Sequence, residues 1–154
     1  MATVEAFPVT IPCPAELRLT DGSRIAGTLF LLPDPASPKG VTTADVLLDG
    51  ERDFLAFGVA GSGNVLVARD AIRVAEVAVD GPGAPDEPDL EASLDVVTLH
   101  LDSGEEVTGV LQAVSPLGGK RMSDVFNAAG RFVAVGLGDR VAFVAKSRIV
   151  RVTF

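Results

Sequence analysis

The sequence predicts an all-β chain made of two tandem, five-stranded, strongly bent small β-barrels related by internal duplication. Three observations carry this. A stretch near the N-terminus recurs, feature by feature and in order, in the second half. Apolar and polar residues alternate with period two through most of the chain, and no apolar helix pattern of ten or more residues interrupts them. The composition, 154 residues with 47% apolar and 22% charged, is that of one ordinary folded domain or two small ones. With 8 Phe and neither Trp nor Tyr, the core must rest on Val, Leu, Ala and Ile, which favours strands.

The N-terminal residues 1–10 have no basic start and carry Glu5, so no export signal is expected. Cys13, between Pro12 and Pro14, reads as part of an extended arm. A single Cys and a single His exclude a disulfide within the chain and any zinc site of Cys/His type built by one chain. The first strand pair follows. Leu17 and Leu19 face one way and Arg18 and Thr20 the other, Asp21-Gly22 is a hairpin turn signal, and a long strand runs from Arg24 to Leu32. Gly27 inside it marks a sharp bend or bulge. A variable loop, 33–40, precedes three short strands near 53–59, 64–68 and 71–78.

The second half repeats this order. The stretch 17–29 aligns without a gap on 99–111, with identities at Leu17/Leu99, Leu19/Leu101, Gly22/Gly104, Gly27/Gly109 and Leu29/Leu111. Further on, 44–46 answers 123–125, Phe54-Leu-Ala-Phe57 answers Phe132-Val-Ala-Val135, and 67–72 answers 144–149. Strands are expected at 97–101, 106–115, 130–135, 140–145 and 147–153, with a loop at 116–121. Each unit is expected to close on itself and so remove most free edges. Between the copies, residues 80–95 are rich in Pro, Gly and carboxylates and read as a linker. The expected domains are 1–79, a linker 80–95, and 96–154.

The net charge of −8 is unevenly spread. The linker carries −6 and no Lys or Arg, the first domain −4 and the second +2. The chain as a whole repels a polyanion, while the second domain is mildly basic. Ten Arg against three Lys hint at a GC-rich bacterial genome. No stretch approaches the roughly 20 apolar residues of a membrane span, and a cytoplasmic setting is the expectation, with no membrane partner.

The order of features resembles the Sm-like family, a branch of the SH3-like small barrels. Its first motif, apolar-x-Leu-x-x-Gly, then a Gly five residues on, then an Asp before an apolar strand, is matched by Leu19, Gly22, Gly27 and Asp45, and again by Leu101, Gly104, Gly109 and Asp124. A second motif ending Ile-x-x-apolar is matched by Ile72/Ala75 and Ile149/Val152. The resemblance implies barrels that assemble through their edge strands. Sm-like RNA binders add an Asn after that Asp and an Arg-Gly pair in the second motif. Here Asn127 follows Asp124 at a somewhat short spacing, the first copy has Leu48 or Asp49 in that region, and Arg69-Asp70 and Lys146-Ser147 stand in place of Arg-Gly. No Tyr or Trp offers a stacking surface.

Catalytic chemistry finds little support. His100 sits on the polar side of its strand, and no Gly-x-Ser-x-Gly elbow supplies a nucleophile. Gly118-Gly119-Lys120 has the end of a phosphate loop, but Val114 and Arg121 occupy positions that such a loop gives to Gly and Ser/Thr. The expectation is therefore a non-catalytic interaction or scaffold module without a cofactor, which self-associates or binds a protein through barrel edges and apolar outer strands. The candidate contact residues are Phe57 and Phe143, in strands apolar on both faces, and the polar set Lys120, Arg121, Asp124, Asn127, Lys146 and Arg148. The alternative is RNA binding through the basic second domain.

Overall fold

The computed structural model describes residues 10–37, 39–44, 48, 50, 52–85, 95–112, 122–128 and 130–154. Ten strands follow in chain order: β1 (Ile11–Leu19), β2 (Arg24–Leu31), β3 (Phe54–Val59), β4 (Gly63–Ala68), β5 (Ile72–Ala78), β6 (Val96–Leu101), β7 (Glu106–Leu111), β8 (Phe132–Gly136), β9 (Arg140–Ala145) and β10 (Ile149–Thr153). A short helix, α1 (Met122–Asn127), precedes β8, and single 3-10 turns at Arg69–Ala71 and Lys146–Arg148 lead into β5 and β10. All strands join one antiparallel sheet in the order β10-β6-β7-β8-β9-β5-β1-β2-β3-β4.

That order is the same five-strand arrangement twice. Within each run the fifth strand lies beside the first, followed by the second, third and fourth, and β5 joins the runs by pairing with β9. Aligned positions share backbone detail. The amides of Thr20 and Asp102 donate to the carbonyls of Ala71 and Arg148, and those of Arg69 and Lys146 to Asp53 and Arg131. Gly22 and Gly104 both have φ +88°, the left-handed conformation a tight hairpin asks of glycine.

Gly27 and Gly109 explain how the second strand of each run bends. A Cβ on Gly27 would run into the Gly58 carbonyl oxygen, and one on Gly109 into the Gly136 carbonyl oxygen. The neighbouring backbone approaches where only hydrogen fits. The expected closure into barrels is not found. Among the described residues the sheet is open and β10 and β4 each have a single neighbour, because the strands β5 and β9 that would be edges of the separate units are spent on joining them.

Two apolar clusters hold the sheet. The first includes Leu17, Leu29, Leu31, Leu48, Leu55, Phe57, Ile72 and Val77, and also Val141 and Phe143 from β9. The second includes Val97, Leu99, Leu101, Val107, Val133, Val135, Ala142 and Val144, and also Val74 from β5. Each half thus places side chains in the other's core. Adjacent residues of β9 split between the clusters, Phe143 to the first and Val144 to the second, as the pleat requires.

Two segments differ from the sequence reading. The Pro12-Cys13-Pro14 stretch lies within β1 rather than in an arm, paired only with β2 because the pairing of β1 with β5 begins at Ala15. A strand bonded on one side tolerates proline. The start of the expected linker is docked: Ala84 is buried, the Ala44 amide donates to the Gly83 carbonyl at 2.9 Å, and Lys39 Nζ donates to the Ala84 carbonyl at 2.7 Å. Cys13 lies beneath this turn, and its burial pushes the thiol pKa up against the Gly83 backbone and Lys39. The rest of the expected acidic linker, 86–94, lies outside the described residues.

Candidate functional site

The β5–β9 junction and the two outer strands are the regions where the chain presents something beyond its own core. At the junction, Val74, Ala75, Glu76, Val77 and Ala78 of β5 face Val144, Phe143, Ala142, Val141 and Arg140 of β9. Ion pairs surround this apolar seam. Glu76 is 8% exposed and binds Arg18 at 3.1 Å and Arg140 at 3.6 Å. Arg18 also reaches Glu105 at 3.1 Å. Asp102, in the β6–β7 turn, accepts from Arg73 at 3.1 Å and from Arg148 at 3.3 Å. Burial pushes the Asp102 pKa up, but hydrogen bonds from Arg148 and Arg73 and their charges outweigh it and hold the carboxyl below its ordinary value.

Beside the junction, Arg69, Asp70, Arg131, Lys146 and their neighbours line a cavity of about 400 Å³. Arg69 is 4% exposed. Arg131 approaches Asp70 at 3.4 Å, and Lys146 Nζ donates to the Ala128 carbonyl at 2.8 Å, which brings the end of α1 close by. The cavity's described lining thus includes three cations and one exposed carboxylate.

At the outer strands the picture is apolar. Among the described residues, the exposed large apolar side chains include Phe54, Val65 and Leu66 on β3 and β4, and Val96, Val150 and Phe154 on or beside β6 and β10. Next to β10, Met122 and Phe126 of α1 face Val152 and Phe154 across an apolar groove of about 500 Å³.

The expected site residues are distributed over these regions. Phe143 is fully buried in the seam. Phe57 is also fully buried, but in the core of its own half, so it offers no contact surface; the outward residue of that strand is Phe54. Asp124 and Asn127 are exposed on α1, where Asn127 Nδ2 donates back to the Ser123 carbonyl at 2.8 Å. Lys146 lines the cavity beside the junction, and Arg148 is tied to Asp102 and to the Asp70 carbonyl. Lys120 and Arg121 lie outside the described residues, as does Asp45. The strands expected from the sequence to carry contacts include those of Phe54 and Leu66, but the candidate residues include neither of the two, nor the α1–β10 groove. Their signal was the alternation itself, since Phe54/Ala56 and Leu55/Phe57 occupy opposite faces, but both faces are apolar and only the pairing partner decides which is inner.

Comparison with protein-family models, with curated proteins and with solved structures finds no match to this chain. Among the described residues no group of three or more His, Cys, Asp or Glu is placed to hold a metal ion, and no helix is long and apolar enough to cross a membrane.

Proposed function

We propose that this chain is a non-catalytic interaction module, built by duplication from two Sm-like five-stranded units that share one open sheet, and that it engages partners through its outer strands β4 and β10. The observation that carries the reading is the pair of unpaired edges with apolar side chains beside them. An edge strand offers a row of free backbone donors and acceptors, which another strand can satisfy while its side chains cover the apolar face. Proteins blunt such edges with charge, proline or a covering loop; β4, Gly-Asn-Val-Leu-Val-Ala, has no charge or proline of its own, and its first four residues are exposed. The duplication reading is supported by the recurring strand order, the matched turn glycines and the matched backbone hydrogen bonds.

The test is a pull-down from the native organism with the wild type and with a variant altered at both edges, Phe54→Glu with Val150→Glu. The wild type is expected to retain a partner, which includes untagged copies of the chain, and the variant to lose it. Equal recovery by both would sink the reading.

The basic second domain favours a second reading, the binding of an anionic ligand such as single-stranded RNA near Lys146. Fluorescence anisotropy with a labelled oligonucleotide tests it. Binding that weakens steeply with salt and with Lys146→Glu supports it, and no binding at low salt refutes it.

A further inference from the structure

Two stretches that the edge reading does not use, the variable loop after β2 and the first residues after β5, meet over the N-terminal end of β1. The loop is a platform. The Asp34 amide donates to the Gly40 carbonyl at 2.9 Å and the Ser37 amide to the Asp34 carbonyl at 3.0 Å. Asp34 Oδ1 accepts from the Ala36 amide at 3.0 Å, and Pro33 and Val41 form an isolated bridge. A loop closed on itself in this way loses little further freedom when it holds a side chain in place. The side chain it holds over the second stretch is Lys39, whose Nζ donates to the Ala84 carbonyl at 2.7 Å and to the Pro85 carbonyl at 3.4 Å.

Beneath this contact the fit is close. The chain turns back through the Gly81 amide on the Ala78 carbonyl at 3.1 Å and the Ala84 amide on the Gly81 carbonyl at 3.4 Å. Gly83 lies so near Cys13 that a Cβ on it would stand 2.6 Å from Sγ, and its carbonyl accepts from the Ala44 amide at 2.9 Å. Of residues 81–85, however, only Gly83 and Ala84 are buried, so the side chain withdrawn fully from water is a single methyl. One methyl and a few hydrogen bonds hold far less than the ladders and side chains that keep β1 and β5 in the sheet, and such a region opens at lower free energy than the whole.

We propose that residues 81–85 are a strap with Lys39 as its clamp, and that the strap opens on its own while the sheet stays folded. Opening releases the Ala44 amide and uncovers Cys13 and Ala44 at the rim of the first half's core. It also moves the point at which the segment joining the halves is last held, among the described residues, from Pro85 back to Val79, whose amide donates to the Asp139 carbonyl at 2.9 Å. The connection between the halves thus carries a cover for the first half with it. The strap and the outer edges are separate devices, and neither depends on the other.

Lysine suits a reversible clamp. Its ammonium sits on a flexible stem and donates to two carbonyls without a fixed fork, and a charged donor makes the stronger hydrogen bond. The same charge acts on the thiol beneath. Burial raises the Cys13 pKa and outweighs the Gly83 backbone and Lys39, which both lower it. While the strap is closed the thiol is covered and protonated; when it lifts, the burial is relieved and Lys39 stays on its loop. Cys13 therefore reports the position of the strap. Loss of Lys39 removes a charge that favours the thiolate, so a faster reaction without Lys39 reads access and not activation.

Reaction of the full chain with dithiobis-nitrobenzoate over a urea series tests this, with far-UV circular dichroism as the measure of global unfolding. The Cys13 thiolate attacks the disulfide of the reagent, forms a mixed disulfide and releases one coloured thiolate. The wild-type rate is expected to stay nearly flat at low urea, where only the strap opens, and to rise steeply at the global transition. Lys39→Met should speed the flat phase by about tenfold through the lost charged donor, and Lys39→Arg should stay near the wild type. Gly83→Ala, whose methyl has no room beside Sγ, should speed it as well. Hydrogen exchange of the Ala44 amide should quicken by the same factor in Lys39→Met, a reading free of thiol chemistry. A wild-type rate that follows global unfolding at every urea concentration overturns the strap, and an unchanged rate and exchange in Lys39→Met overturn the clamp.

Discussion

Strands β9 and β4 hold the same place in the two halves, yet Phe143 on β9 is fully buried and its counterpart Leu66 on β4 is 72% exposed. The strands are similar in length and both apolar. What differs is the neighbour. Strand β9 finds β5 in its own chain, while β4 is the last strand of the sheet. The same comparison holds between β5, buried almost throughout, and β10, exposed at three of its five residues. Outward apolar residues on a small sheet are thus neither core nor ordinary surface. They become core where a neighbouring strand covers them, as β5 and β9 cover each other.

The sharpest way to break the comparison is at Phe143. Phe143→Glu places a carboxylate in the first half's core and removes the ring that Ala75 and Val77 pack around. The expected loss is about 3–5 kcal/mol, from the cavity and the desolvated charge together. That is a large share of the roughly 5–15 kcal/mol that stabilises a typical domain. Urea unfolding measures it. A midpoint unchanged from the wild type would show that the halves do not depend on each other's side chains.

Much of this architecture is legible in the sequence, and the illegible parts have identifiable causes. Strand positions follow from period-two alternation, and the bends from Gly27 and Gly109, because a backbone that admits no Cβ leaves glycine as the trace. The turns at Gly22 and Gly104 are equally readable. The N-terminal extension of β1 is hidden by Pro12 and Pro14, whose meaning depends on how many sides of a strand are paired. Helix α1 has six residues, too few to show a period. The docking of Gly83 and Ala84 over Cys13 leaves no pattern, since small residues in a Pro/Gly-rich stretch look alike whether packed or free. The openness of the sheet is hidden for a different reason. Alternation specifies faces but not which edge meets which, and the β5–β9 pairing uses edges that closure would have paired within each half. For the same reason the candidate site is legible as a strand type and not as residues: Phe57 and Phe54 are separated only by the pairing register.

A second test asks whether the halves are equivalent within themselves. Gly27→Ala and Gly109→Ala should each cost about 1–3 kcal/mol, because the obstructing atoms are backbone carbonyl oxygens rather than ends of flexible side chains. Gly58→Ala, whose nearest neighbour is the Phe30 ring at 3.1 Å, should cost less, since a ring edge can shift. Denaturant midpoints of the three variants rank them. Equal effects at all three would remove the close backbone approach as the reason for the bends.

The polar rim of the junction is expected to show itself in acid. The folded-state pKa of Asp102 lies below its ordinary value, so as pH falls the unfolded chain takes up this proton first. The contribution of the group is complete above the ordinary carboxylate range and is lost as pH falls through the lowered folded value. The difference in urea midpoint between the wild type and Asp102→Asn should therefore be greatest near neutral pH and shrink in acid. A difference that stays constant with pH would show that Arg73 and Arg148 do not depend on the charge of Asp102. The outer edges have no counterpart to this rim, since Thr20 stands at the aligned position, and should add no such acid-sensitive step.

The smallest expected effect is also the most discriminating. Leu66→Glu repeats at the free edge the substitution made at Phe143, at an aligned position and with the same new charge. In the single chain Leu66 already faces water, so there is no cavity to open and no desolvation to impose. The stability of the dilute protein should stay within about 0.5 kcal/mol of the wild type, as for substitutions on an ordinary surface. Measurement at low concentration is essential, because association adds stability that depends on concentration. If Leu66→Glu destabilised the dilute chain as much as Phe143→Glu does, Leu66 would already be packed within its own copy, and the distinction between the covered and the uncovered fourth strand would be lost.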